Sequence, residues 1–138
     1  MAAFVVAAYM KSVPMIYNGQ EVGTTYPLDV LTLGNTINWN QNQGMVEEYK
    51  RIIAFRKNSA AIRRGLLTSY SNADICAFTK AEGAEQVFVA SNLRNAAITY
   101  TLPAGVANSS WTDAMTGAAV SLSTQLGLQP YSYLILKK

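Results

Sequence analysis

The 138-residue sequence predicts a mainly β protein: an antiparallel β-sandwich C-terminal domain preceded by a helix–strand–long loop–helix segment. Three observations carry this. Over 43–58 apolar residues recur every three or four positions, the period of a helix, and after Gly65 the period changes to two. Seven short alternating runs follow, each closed by a turn signal, and strands at such spacing build sandwiches. Half of the residues are hydrophobic and only 14% charged, which excludes disorder. The length suits one sizeable core, and the change of period divides the chain into residues 1–65 and 66–138.

Taken in order, residues 2–11 are Ala-rich with apolar side chains on every face, the pattern of a helix packed on several sides. The run is too short to span a bilayer. No positive charge precedes it, as a signal peptide would require, so no compartment is fixed by this terminus. Pro14 ends helical continuity. Val13–Tyr17 then reads as a short buried strand that stops in the polar loop Asn18-Gly19-Gln20-Glu21. Residues 18–44 form a long loop with Gly23, Pro27, Gly34 and several Asn and Gln, and loops of that length are usually functional or packed on something else.

Residues 43–58 form the clearest helix, with Asn42 as its N-cap and Arg56 and Lys57 at the C-terminal end, where cations suit the dipole. Ala60–Arg64 make a short turn that Gly65 stops. The strand candidates are 66–71, 75–80, 86–92, 97–102, 110–114, 119–122 and 131–136, with Gly127–Pro130 among the turns.

Charge and residue usage exclude several functions. The net charge is +3, and six of eleven basic residues fall within positions 50–64, the pattern of a solvated helix face; nucleic acid is not expected as a partner. The single Cys76 cannot form an internal disulfide and reads as a buried inert thiol. The absence of histidine removes His-based triads and most zinc sites. The eight acids are scattered. Glu47 and Glu48 are helix neighbours that point in different directions, so they cannot face each other across a substrate. Asp29, Asp74, Glu82, Glu85 and Asp113 sit at turns or strand ends, where solvated acids are ordinary. Asn108-Ser109-Ser110 matches a glycosylation acceptor, a pattern too common to weigh by itself.

An ordered set of segments carries a family resemblance. Pro14-Met15-Ile16-Tyr17-Asn18-Gly19-Gln20-Glu21 resembles the eighth barrel strand and following loop of the α-amylase family, and Ile37-Asn38-Trp39 its subsequent tryptophan element. Tyr49–Lys57 with Ala61–Gly65 is similar to the last barrel helix and its exit. Trp111–Gly117 and Leu128–Leu136 resemble the C-terminal β-domain. Ser12 departs from the family, which often has glycine there.

The resemblance implies that residues 1–65 are the remnant of the last part of a (β/α)8 barrel and 66–138 the all-β C-terminal domain. It implies a C-terminal fragment of a retaining glycoside hydrolase acting on α-glucans such as starch and maltooligosaccharides. The nucleophile, the acid/base and the stabilising aspartate of that family have no matching positions, so no catalytic residue is expected on this chain, which is expected to be inactive alone. Tyr17, Asn18, Glu21, Tyr26 and Trp39 are the candidates for lining or bracing the substrate cleft. For the aromatics the alternative is loop-anchoring or core packing, and for Glu21 a supporting role away from substrate. No cofactor is expected on this chain; calcium enters only as an ion of the whole enzyme. The family leans toward an extracellular or periplasmic setting. The other reading is a free-standing β-sandwich that binds carbohydrate or another protein, using an exposed aromatic near Trp111. A cut barrel would also leave residues 1–40 with unpaired edges and apolar surface, which self-association would relieve.

Overall fold

A computed structural model describes residues 1–29 and 34–138; part of the expected 18–44 loop, residues 30–33, lies outside the described residues. Among the described residues there are three α-helices, α1 (Ala2–Tyr9), α2 (Gln43–Asn58) and α3 (Ala60–Arg64). Eight strands follow: β1 (Leu66–Ser69), β2 (Ile75–Glu82), β3 (Glu85–Asn92), β4 (Ile98–Thr101), β5 (Ser110–Asp113), β6 (Ala119–Ser121), β7 (Gln125–Leu128) and β8 (Tyr133–Lys137). All pairs are antiparallel, in a six-stranded sheet ordered β1-β2-β3-β8-β5-β6 and a two-stranded sheet β4-β7.

The large sheet is covered on both faces, and the alternation along its central strands decides which side chain meets which layer. On β3, Val87 and Val89 face the helices, whereas Phe88 and Ala90 face β4-β7. On β8, Ile135 joins the helix-side core with Phe4, Val5, Tyr9, Ile52 and Ile62. Leu136 joins the other, with Ile75, Tyr100, Trp111 and Leu128. A strand apolar on both faces reads as a continuous hydrophobic run, as Val87–Ala90 does. Each fully buried Val or Phe contributes about 1.5–3 kcal/mol.

The helices are held by specific contacts as well as by area. Ser91 Oγ donates to the Ala2 carbonyl at 3.0 Å, and Tyr9 Oη to the Ile52 carbonyl at 3.0 Å. Phe4 meets Tyr49 edge-on at 4.5 Å between centroids. Gly65 turns the chain from α3 into β1 so tightly that an added Cβ would strike the Ala61 carbonyl oxygen and lie 2.8 Å from that of Ala81. The buried Asn92 amide donates to the carbonyls of Ala96 at 2.7 Å and Gln129 at 2.9 Å, tying β3 to the loops that flank the small sheet.

Several expectations change. Residues 13–17, expected as a short buried strand, pair with no strand among the described residues, and Val13 and Met15 are 89% and 77% exposed. A strand needs a neighbour to satisfy its N–H and C=O groups, and none lies beside it. An eighth strand, β7, appears where a turn was expected from Gly127; Gly127 pairs with Thr99 inside the ladder. Asn42 does not cap α2 with its side chain. Its backbone is left-handed (φ 48°), and its amide donates instead to the Val22 carbonyl at 2.8 Å. Ala60–Arg64 are a capped helical turn. Cys76 is only half-buried, at the margin of the helix-side core.

Candidate functional site

The loop after residue 16 is built around Gln20. Its Oε1 accepts from the Tyr17 N–H at 3.1 Å, and its Nε2 donates to Tyr49 Oη on α2 at 3.0 Å. One side chain thereby closes the turn and fastens it to the helix. Gln20–Val22 form a single 3-10 turn flanked by left-handed glycines. Gly19, at φ 86°, is required twice over: an L side chain resists that conformation, and a Cβ would lie 2.7 Å from Thr24 Oγ1. Gln20 was not among the sequence candidates, although it lies within the segment that carried the resemblance. Its role depends on Tyr49, 29 positions away.

This loop and α2 enclose an open cleft of about 750 Å³, whose lining includes Tyr17, Asn18, Gln20, Thr24, Tyr26 and Tyr49. Of the five candidates, the cleft brings together Tyr17, Asn18 and Tyr26. Tyr17 is 63% exposed. Tyr26 Oη donates to the Thr36 carbonyl at 2.6 Å, which orients its ring while anchoring the loop. Trp39 lines an adjoining depression of about 320 Å³ with Asn18, Leu28, Asp29 and Ile37, and is 50% exposed. Asn18 is common to both hollows. Exposed rings beside amide and hydroxyl groups suit a neutral polyhydroxylated ligand, whose C–H faces stack while its hydroxyls exchange hydrogen bonds.

Glu21 lines neither hollow. It is half-buried in the 3-10 turn, with its Oε2 enclosed and without a hydrogen-bond partner among the described residues. Several of the other acids, expected to be solvated, have partners. Glu47 pairs with Lys50 at 2.7 Å, and Glu48 accepts from Tyr133 Oη at 2.5 Å, so the two do point apart. Glu82 pairs with Arg64 at 2.9 Å and Asp74 with Arg94 at 3.3 Å. Glu85, expected to be solvated, caps α3. Trp111 is only 3% exposed: it packs near Phe88 with Lys138 above its ring, and offers no surface for stacking. Among the described residues, no group of acids and cysteine is arranged to hold a metal ion, and no helix is long and apolar enough to cross a membrane.

Comparison with known proteins agrees with this architecture. No family model matches the chain. Alpha-amylase 2 of Dictyoglomus thermophilum is 24% identical over 129 residues, covering 86% of this chain and 22% of that protein. Cyclomaltodextrinase of Geobacillus thermopakistaniensis is 28% identical over 131 residues, covering 88% and 22%. The chain thus spans about a fifth of the length of these curated relatives. Among solved structures, AmyP in complex with maltose aligns with a TM-score of 0.77 at 17% identity, covering 99% of this chain and 33% of that one. The trehalulose synthase MutB from Pseudomonas mesoacidophila MX-45 gives 0.70 at 19%, covering 99% and 37%. Isomaltulose synthase from Klebsiella sp. LX3 gives 0.70 at 20%, with the same coverage.

The fold is an antiparallel β-domain preceded by a few helices. In sequence order and in structure, the chain is similar to the C-terminal part of α-amylase-family glycoside hydrolases.

Proposed function

We propose that this chain supplies one wall of the α-glucan cleft of an α-amylase-type glycoside hydrolase and is inactive alone. The observation that carries the reading is the cleft itself. The 17–28 loop, fastened to α2 by Gln20, presents Tyr17, Asn18 and Tyr26 around one open hollow with Trp39 next to it. That is a surface for holding sugar rings. Cleaving a glycosidic bond by the retaining route needs two carboxyl groups about 5 Å apart, and Tyr17, Asn18, Tyr26 and Trp39 bring no carboxyl of their own. In this reading the reacting acids belong to the remainder of the enzyme, Glu21 braces the loop from behind the cleft, and residues 1–65 complete the barrel. Any calcium ion belongs to that remainder too.

The test is direct. Purified chain incubated with maltoheptaose is expected to release no reducing ends above buffer. Cleavage that disappears in Glu21→Ala would overturn the inactivity. Calorimetric titration with maltoheptaose is expected to give weak binding that Tyr17→Ala and Trp39→Ala each reduce. Binding unaffected by both would remove the cleft from the proposal.

A further inference from the structure

We infer that the pocket between the C-terminal ends of α1 and α3 is a binding site for a phosphate group, free or carried as a monoester. It is a separate hollow of about 450 Å³, and its lining includes five cationic residues, Lys11, Arg56, Arg63, Arg64 and Lys80, and no acid. Three elements deliver them: the end of α1, the α2–α3 corner and β2.

Two of the five balance helix carbonyls. Arg56 reaches from α2 across the open end of α1, donating through Nη1 to the Ala8 carbonyl and through Nη2 to that of Ser12 at 2.9 Å. Lys80 is buried (2% exposed) on the helix side of β2 and donates through Nζ to the Ile62 carbonyl. Both offset the negative end of a helix dipole. Arg64 is paired with Glu82. Lys11 and Arg63 have no carboxylate partner among the described residues; the Arg63 Nε donates to the Ser59 carbonyl at 3.4 Å.

The pocket therefore concentrates positive charge beyond what its carbonyls offset. Burial, with Arg56 and Lys11 adding to it, holds the Lys80 ammonium below the usual lysine range. Lys11 and Arg63, without a carboxylate beside the buried, hydrogen-bonded Lys80, leave positive charge that an entering anion offsets. Phosphate fits better than a halide. It presents several acceptor oxygens at once, and guanidinium forks bind it through paired N–H donors. The hollow leaves room for the organic part of a monoester.

Inorganic phosphate is titrated calorimetrically into the full 138-residue chain, with sodium chloride holding ionic strength constant, and glucose 6-phosphate is used in a second arm. Saturable binding is expected in at least one arm. It should weaken roughly tenfold in the Lys11→Gln/Arg63→Gln double variant, as loss of charge-assisted contacts dictates. Lys50→Gln, which alters only the Glu47 pair, should bind as the parent chain does. Lys11 and Arg63 are exposed, so circular dichroism is expected to show an unchanged fold; Arg56 and Lys80 are left intact because they hold backbone carbonyls. Binding in one arm alone tells the free ion from the monoester. No saturation in either arm, or equal affinity in the double variant, overturns the assignment.

Discussion

The Ser59 hydroxyl donates to Glu85 Oε1 at 2.5 Å and so joins the start of α3 to the start of β3. Glu85 Oε2 accepts from the N–H groups of Ala60 at 2.9 Å and Ala61 at 3.1 Å, and Ser59 Oγ accepts from Ile62 N at 3.0 Å. Three first-turn donors that the helix cannot satisfy are thereby satisfied by one hydroxyl and one carboxylate. Desolvation raises the Glu85 carboxyl. The bonds from Ser59, Ala61 and Ala60, with Lys137 nearby, outweigh it and hold the group below its ordinary 4.5.

Ser59→Ala should therefore cost about 1 kcal/mol, within the usual range for a lost N-cap. Chemical denaturation would register this as a lower midpoint at unchanged slope. Loss of α3 helicity without a change in midpoint would contradict the link to β3.

The sign of the Glu85 shift sets a pH dependence. The folded chain binds this proton less readily than the unfolded one, so the stabilisation is complete well above pH 4.5 and is lost as pH falls below it. Glu85→Gln should be less stable than the parent chain at neutral pH, and the gap should narrow on acidification. Melting curves at pH 7 and pH 3.5 check this; a constant gap would be the contrary result.

At alkaline pH, Tyr9 and Tyr133 should resist ionisation. Burial dominates both shifts; for Tyr133 the hydrogen bond to Glu48 and its charge add to it, and for Tyr9 the neighbouring Tyr133 adds a further rise. Unfolded, these phenols ionise near 10.0, so stability is retained below that pH and falls above it. Ultraviolet titration should show both phenols ionising only together with unfolding. Tyr133→Phe should remove one of them and, by stripping the half-buried Glu48 of its donor, cost about 1.5–3 kcal/mol.

Gly65→Ala should destabilise the chain although its backbone (φ −62°) is ordinary. The added methyl would meet the backbone oxygens of Ala61 and Ala81, neither of which can rotate away. Separating α3 from β2 would cost about 1–3 kcal/mol, readable as a lower melting temperature. A neutral effect would mean the α3–β1 corner has slack.

Phe88→Ala should be the most damaging of these changes, at about 3–5 kcal/mol. Phe88 is fully buried between the two sheets and packs near Trp111. A domain of this size has about 5–15 kcal/mol in all. Partial unfolding at 37 °C, followed by tryptophan emission, is the expected outcome.

Much of the fold was legible because it is local. The helix 43–58 follows from periodicity alone, and its observed bounds match. Strands β2, β3 and β8 follow from apolar runs bounded by turns, since pleating and alternation need no distant information. β7 was hidden because Gly127 carries no strand propensity; it is a strand only because β4 lies alongside. The candidate cleft was half legible. Tyr17, Asn18 and Tyr26 were named from one loop, but Gln20 becomes important through Tyr49, and Glu21 does not line the cleft.

The sequence by itself determined the class of fold, most of its elements and the family it resembles. These depend on composition, period and order along the chain. Tertiary structure alone decided what each polar group does. Glu85 became a helix cap, Glu48 the acceptor of a half-buried phenol, and Lys80 part of a cationic pocket. It also left residues 13–17 without a paired strand among the described residues and mostly exposed, because a strand is completed only by a neighbour. Partners brought together across 18 to 85 positions leave no mark on local pattern, and their chemistry is set by distance and burial.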